Sequence, residues 1–270
     1  MLADERRVTA FRRAIERVVR PGDVVFEAGA GTGLLSFFAA ARARAVYAAE
    51  ADPGVAELGA RLVELNGLAD RVRYRHGRAE RTLPPEPVDV VVCEMLHAAL
   101  VVEQQVPVLN AVRGGLERAF PGHPFRVIPR EAVSYCQLLE ADFTYHGYRA
   151  PFVRLGDTYH ADPSIRPLSG LTPYHHAEFD RVVGPTVDAA VRLTADAGGT
   201  VNAVRLLTQA VLDYDEAAPA DERLIDWYVN YVVIPLPAPL PAAPGATFDV
   251  KLTYPLGCAL DEIAVDVAVS

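Results

Sequence analysis

The feature that most constrains this chain is the alternation of short apolar runs with amphipathic segments over its first 120 residues. Asp23 to Phe26, Ala45 to Ala49, Arg71 to Arg75 and Val88 to Cys93 read as strands. The last of these, VDVVVC, is almost wholly apolar, as a strand covered on both faces must be. Between the strands lie helical patterns. Val8, Phe11, Ile15 and Val18 fall on one face of a first helix, which Arg20-Pro21-Gly22 ends. Leu34 to Ala41 forms a second helix, and Asp52-Pro53 opens a third with Val55, Leu58, Leu62 and Leu65 on one stripe. A fourth runs from about Glu103 to Phe120. Strands and helices in this order predict a doubly wound, Rossmann-like parallel sheet with right-handed crossovers.

The pattern changes at Phe120-Pro121-Gly122. Beyond it come runs of period two, broken by Pro and Gly: 132–139, 187–194, 201–212, 227–234, 247–254 and 262–269. These predict an antiparallel β unit. The stretch IPLPAPLPAAPG reads as a strand end and a stiff loop. Residues of about 143–174 are polar, aromatic and Pro-rich without periodicity, and read as an excursion from the β unit. The expected division is therefore 1–124 and 125–270, with an interaction arm at about 143–174.

Charge and composition narrow the function. The formal net charge of −9 disfavours nucleic acid as a partner and favours a cationic substrate. No apolar run is long enough for a membrane span, and the charged opening segment lacks a signal-like core, so a cytoplasmic protein is expected. Cys93, Cys136 and Cys258 are odd in number and widely spaced, giving neither a disulfide framework nor a metal motif. His175 and His176 have no acids at metal-ligand spacing, so no metal is expected. A single lysine among many arginines and alanines points to a GC-rich bacterial source.

The first strand leads into EAGAGTG, in which Gly29, Gly31 and Gly33 form G-x-G-x-G. Glycine there lets the backbone turn tightly and approach a ligand. Glu27 at the strand end would repel a pyrophosphate but suits a cofactor carrying an ammonium and a sulfonium. Glu50 ends the second strand, where an acid can bind both ribose hydroxyls. Together these favour S-adenosyl-L-methionine, with S-adenosyl-L-homocysteine as product, over NAD. Farther along, CEMLHAALVVE places Glu94 and Glu103 nine residues apart, after the buried fourth strand and at the start of the next helix. A loop that turns back brings the two carboxylates together as a cage for a planar cation. The competing reading is two unrelated acids, Glu103 being favoured by the helix dipole.

With these motifs in view, the chain resembles the protein arginine N-methyltransferase family. Glu94 and Glu103 fall on that family's two glutamates at the same separation. VVFEAGAGTGLLSFFAA is similar to its cofactor motif, MLADERRVTAFRRAI to the helix that closes over the cofactor, and RHGRAE to its adenine-side segment. The resemblance implies a class I methyltransferase domain, then an antiparallel β-barrel with an inserted dimerisation arm, and hence a homodimer. It implies that Arg7 pairs with the methionine carboxylate, that Asp4 lies near the reacting centre and that Glu80 lies near the adenine amino group. RLIDWYVNYVVIPL is similar to the family's substrate-loop strand, with Trp227 kept and Asp226 in place of a histidine. Met95 replaces the loop tryptophan, Leu96 the methionine after it, and His97 a glycine.

The expected activity is transfer of a methyl group to a guanidino nitrogen of arginine. Free or small-molecule arginine is favoured over protein arginine, because the peptide-facing aromatics are missing. The catalytic candidates are Glu94, Glu103, Asp4 and Asp226; Met95 and Trp227 are candidates for substrate contact. Asp226 could also bind the α-ammonium of a free amino acid, and His97 could serve as a general base in a different methyl transfer. Alternatives are a natural-product O- or N-methyltransferase on a non-guanidino substrate and a non-catalytic cofactor-binding protein. A nucleic-acid methyltransferase is disfavoured, since CEML stands where its Asn/Asp-Pro-Pro-aromatic motif would be.

Overall fold

A computed structural model describes residues 2–214 and 224–270, the side chains of 214 and 224–229 excepted. Helix α1 (Glu5–Val18) precedes strand β1 (Val24–Ala28), and α2 (Leu34–Ala40), β2 (Ala45–Glu50), α3 (Pro53–Leu65), β3 (Val72–His76) and β4 (Val90–Cys93) follow. After α4 (Gln105–Ala119), strand β5 (Arg126–Ile128) completes a parallel sheet of order β3-β2-β1-β4-β5. The sheet thus extends past the division expected at residue 124. Its central strands are buried along their length, as their continuous apolar composition requires. The strand order reverses between β1 and β4, and the crevice at their carboxyl ends is where such sheets take ligands.

Helix α3 lies against this sheet by a face rotated from the expected stripe, with Val55 and Leu62 left half-buried at its edge. Ala56, Gly59 and Val63 are buried, whereas Leu58 and Leu65 are exposed. The reason is close approach: a Cβ on Gly59 would lie 2.4 Å from the ring of Tyr74 on β3. Small residues let the helix settle onto that ring, which turns Leu58 and Leu65 outward.

The second half is an antiparallel β domain. Strand β6 (Glu131–Ala141) leads to a hairpin of β7 (Thr144–Tyr145) and β8 (Tyr148–Arg149), then β9 (Arg154–Gly156), β10 (Ile165–Pro167) and β11 (Thr172–Glu178). The domain continues with β12 (Thr186–Thr194), β13 (Gly199–Tyr214), β14 (Leu224–Ala242), β15 (Thr247–Pro255) and β16 (Ala264–Val269). One sheet runs β10-β6-β13-β14-β9, with β11 also on β6; the other runs β12-β15-β16. The two share a core in which the hydroxyls of Tyr174 and Tyr254 lie 2.7 Å apart.

Two segments differ from expectation. The Pro-rich stretch continues β14 as far as Ala242. It can do so because β9 pairs with β14 only at 231–233, which leaves an edge where proline's missing N–H costs nothing. Of the expected arm, β9, β10 and the start of β11 are stitched back into the large sheet. Only the β7–β8 hairpin forms a separate pair.

Candidate active site at the carboxyl end of the parallel sheet

Four acidic residues meet where β1, β2 and β4 end. Glu27 pairs in register with Ala48 and Val92, and Cys93 lies level with Ala28, so Glu94 begins one step beyond the sheet. Gly29, Gly31 and Gly33 all take left-handed backbone angles, with φ of +74°, +56° and +82°. The glycine turn is closed by N–H bonds from Gly29 and Ala30 to the Ala49 carbonyl, at 2.9 and 3.0 Å. Glu50 holds it from the next strand. One oxygen accepts from Gly31 N and the other from Asp52 N, each at 2.9 Å. Tyr74, not singled out by the sequence, donates its hydroxyl to the Gly31 carbonyl.

Glu27 is not open to a ligand in the way its place before the glycines suggests. It is 3% exposed, and the Ser36 hydroxyl donates to it. Burial pushes its carboxyl up to about 8, against the pull of Ser36, with Glu94 and Glu50 adding like-charge repulsion. A cationic ligand in the crevice would relieve that repulsion.

The loop from Glu94 to Glu103 is a strained double turn. Ala99, Leu100 and Val102 have φ of 60°, 55° and 67°, in the region that side-chain-bearing residues avoid. Other parts of the fold enforce this shape. Gln105, 1% exposed, accepts from Met95 N at 2.8 Å and donates to the Cys93 carbonyl at 2.9 Å. Thr208 on β13 accepts from Ala99 N at 2.7 Å, and Val102 N donates to the Cys258 carbonyl at 2.7 Å. Strain held by contacts on every side is a common mark of a functional loop. The first turn of α4 begins at Gln105, so Glu103 lies in the loop and not on the helix.

Glu94 is nearly covered, with 8% of its side chain exposed. Burial raises its carboxyl to about 7; Arg7 opposes the rise and Glu103 adds to it. Glu103 is exposed, yet its carboxyl is also raised by desolvation and lowered by Arg7. Arg7 thus acts on both glutamates, its Nη1 lying 3.9 Å from Glu94. Its Nε lies 3.1 Å from Asp4, which caps α1 by accepting from Arg7 N at 3.1 Å. Asp4 also accepts from the Tyr159 hydroxyl at 3.1 Å.

Glu94, Glu103, Glu27, Glu50, Arg7 and Asp4 thus lie near one another at this end of the sheet. Met95 lies over the glycine turn, its Cε 2.5 Å from where a Cβ on Gly29 would stand. Glu80 sits in the turn after β3, bound by Arg78 at 2.5 Å, which holds its carboxyl below the usual range. His97 is pushed down by burial and faces only the Ala98 carbonyl, at 3.2 Å. The backbones of Asp226 and Trp227 pair with Val211 and Ala210, but their side chains lie outside the described residues. Among the described residues no group of three or more His, Cys, Asp or Glu could hold a metal ion.

Residues 25–118 match a family model described as a methyltransferase domain. Over 213 residues the chain is 32% identical to an uncharacterised protein, MJ1452, of Methanocaldococcus jannaschii, covering 79% of this chain and 76% of that protein. The chain thus carries a class I S-adenosylmethionine-dependent methyltransferase domain. This methyltransferase is also 32% identical over 197 residues to protein arginine N-methyltransferase 7 of rice, covering 68% of this chain but only 25% of the rice protein. In fold it matches the Trypanosoma brucei PRMT1 enzyme–prozyme complex with AdoHcy, with a TM-score of 0.74 and 20% identity over 100% of this chain and 95% of that one.

The residues present fit S-adenosylmethionine. A Cβ on Gly31 would meet nothing within 4 Å, so the turn leaves open space above its backbone. A crevice with Glu27, Glu50 and Glu94 suits a cofactor bearing two positive charges. No helix of the described residues is long and apolar enough to cross a membrane.

Proposed function

We propose that this methyltransferase acts on a guanidino nitrogen of arginine, with free or small-molecule arginine preferred to arginine in protein. The observation that carries the reading is the guanidinium already placed at the glutamate pair. Arg7 lies 3.9 Å from Glu94 and lowers the carboxyls of both glutamates, so the pair attracts this planar cation within the protein itself. The family likeness to arginine methyltransferases supports the same reading, as does the nine-residue spacing of the glutamates.

When bound, S-adenosylmethionine supplies an activated methyl group; Gly29, Gly31, Gly33 and Glu50 would hold it, with Glu27 beneath, Arg7 at its carboxylate and Glu80 toward its adenine. The remaining work falls to the acidic loop. A guanidinium has a pKa above about 12, and its delocalised charge makes it a poor nucleophile. Glu94 and Glu103 accept its N–H bonds, orient one terminal nitrogen and draw positive charge onto the others. Binding of the cation also favours ionised Glu94. Glu103, exposed and with a raised carboxyl, is the group best placed to pass the released proton to water.

Within this proposal the first domain holds the cofactor and the second the acceptor, with 126–128 carried on the cofactor side. A homodimer is part of the proposal, supported by the exposed Tyr148 and Phe152 at and beside the β7–β8 hairpin. A cytoplasmic setting accords with three free, buried cysteines. The test is incubation with labelled cofactor and a panel of free arginine, agmatine, other guanidino compounds and arginine peptides. Mass spectrometry should locate the methyl on a guanidino nitrogen of a small acceptor. Transfer to oxygen or to a non-guanidino nitrogen would replace this reading with a different acceptor class.

A further inference from the structure

A cavity of about 460 Å³ lies in the β domain, closed at one side by Arg6 of α1, and is within the size range of small-molecule sites. Ile165, Leu171 and Leu207 give it an apolar wall, and Tyr159, Tyr231 and Arg205 its polar positions. Arg205 is out of place in its strand: it interrupts the run AVRLLTQAVL. Its Nη2 donates to the side-chain amide oxygen Oε1 of Gln137, and its guanidinium lies 5.3 Å from the centre of the Tyr231 ring. Its Nε is buried without a hydrogen-bond partner among the described residues. No described carboxylate lies within ion-pair reach, and burial alone lowers its pKa. A half-buried guanidinium held only by a neutral amide and a ring is costly unless an anion joins it.

The aspartates at the rim are already engaged. Asp157 is bound by His160 and by Tyr159 N, each at 2.6 Å. Asp162 is bound by the Ser164 hydroxyl at 2.6 Å and lies 3.6 Å from Arg154. The cavity is also tied to the acidic loop through α1: Tyr159 on its wall donates to Asp4, Asp4 holds Arg7, and Arg7 faces Glu94.

We propose that this cavity is a carboxylate-binding site, in which Arg205 receives the anion and the tyrosines and apolar wall take the body of the ligand. The carboxylate belongs to the methyl acceptor itself, so that one molecule puts its cation at Glu94 and its anion at Arg205. That assignment rests on the arginine reading; the carboxylate site does not.

Two arms test it. In the first, methylation of arginine is compared with that of agmatine, which carries the same guanidino group without a carboxylate. Wild type should favour arginine by about tenfold to a hundredfold in kcat/KM, through KM. Arg205→Gln, which keeps a partner for Gln137, should erase the preference, and Arg205→Lys should restore part of it. In the second arm, benzoate is titrated by calorimetry into protein saturated with S-adenosylhomocysteine. Wild type should bind it, and neither Arg205→Gln nor Leu171→Trp should; the latter fills the cavity from an exposed position and decides the matter if Arg205→Gln does not fold. Benzoate binding that depends on Arg205, with arginine and agmatine used equally, keeps the site and assigns it to a separate carboxylate. The same binding in a protein that methylates no guanidino compound keeps the site and removes the arginine reading. No benzoate binding, together with an arginine preference unchanged in Arg205→Gln, overturns the proposal.

Discussion

The crevice at the end of the parallel sheet and the cavity in the β domain differ in how their buried charges are paired. Glu27, Glu50, Glu94 and Glu103 gather in the first, with the Arg7 guanidinium at Glu94 and Glu103. In the second, the Arg205 guanidinium has no acid within ion-pair reach among the described residues. Asp4, Arg7 and Tyr159 join the two. The difference teaches how one acidic chain can sort the two ends of a zwitterion. On the proposed reading, the net charge attracts cations from solution, while local burial sorts the cationic and anionic ends of the acceptor.

The largest break in that contrast comes from Glu94→Gln. It should leave cofactor affinity within about threefold by calorimetry and lower kcat by about a thousandfold, since an uncharged amide cannot stabilise the reacting cation in a buried site. A kcat near wild type would mean that the acids merely happen to be neighbours.

Gln105→Leu probes how the acidic loop is held. It strands Met95 N and the Cys93 carbonyl, so thermal unfolding should show a loss of about 1–3 kcal/mol. The kcat should fall about tenfold to a hundredfold as Glu94 loses its fixed position. Equal kcat in mutant and wild type would show that Gln105 serves the fold alone.

Proton titration sharpens the comparison next. The carboxyl of Glu94 sits at about 7 in the folded protein, so kcat/KM should climb with pH through about 7 as it ionises. Stability should run the other way. Glu27 and Glu94 have folded values of about 8 and about 7, above the ordinary 4.5, so between these limits the folded state binds more protons than the unfolded. Ligand-free protein should therefore lose stability as pH rises from about 4.5 to 8. In Glu27→Gln the loss should be visibly shallower; an unchanged slope in denaturant titrations would show that Glu27 is not the group responsible.

The smallest effect expected is that of Gly29→Ala. Its φ of +74° costs a side chain about 1–2 kcal/mol, and the new Cβ meets Met95 Cε at 2.5 Å. The second mutation in Gly29→Ala/Met95→Ala should recover the steric part but not the backbone part, as a double-mutant cycle read by calorimetry with S-adenosylhomocysteine.

The cofactor half was legible because its chemistry lies in short segments at strand ends. Gly29, Gly31, Gly33, Glu50 and Glu94 each follow a recognisable apolar strand, and a parallel sheet delivers such ends to one edge whatever the details. Gln105, Thr208 and Tyr74 were not legible, because each acts through a backbone group that any residue could offer. The stripe on α3 was misread for a related reason: Gly59 and Tyr74 set the contact, and glycine leaves no mark in an apolar periodicity. Arg205 did leave a signal, a lone charge inside an apolar strand, but its strand neighbours could not say what it faces.

By itself the sequence determined the doubly wound sheet, the glycine turn and the spacing that lets two glutamates meet, because periodicity and residue type act over a few neighbours. Only the tertiary structure decided that Arg7 sits at those glutamates, that most of the expected arm returns to the sheet, and that Arg205 lines a cavity with no described acid to pair with. Those outcomes depend on which distant surfaces come together and exclude water, and burial, not residue identity, sets the price of a charge.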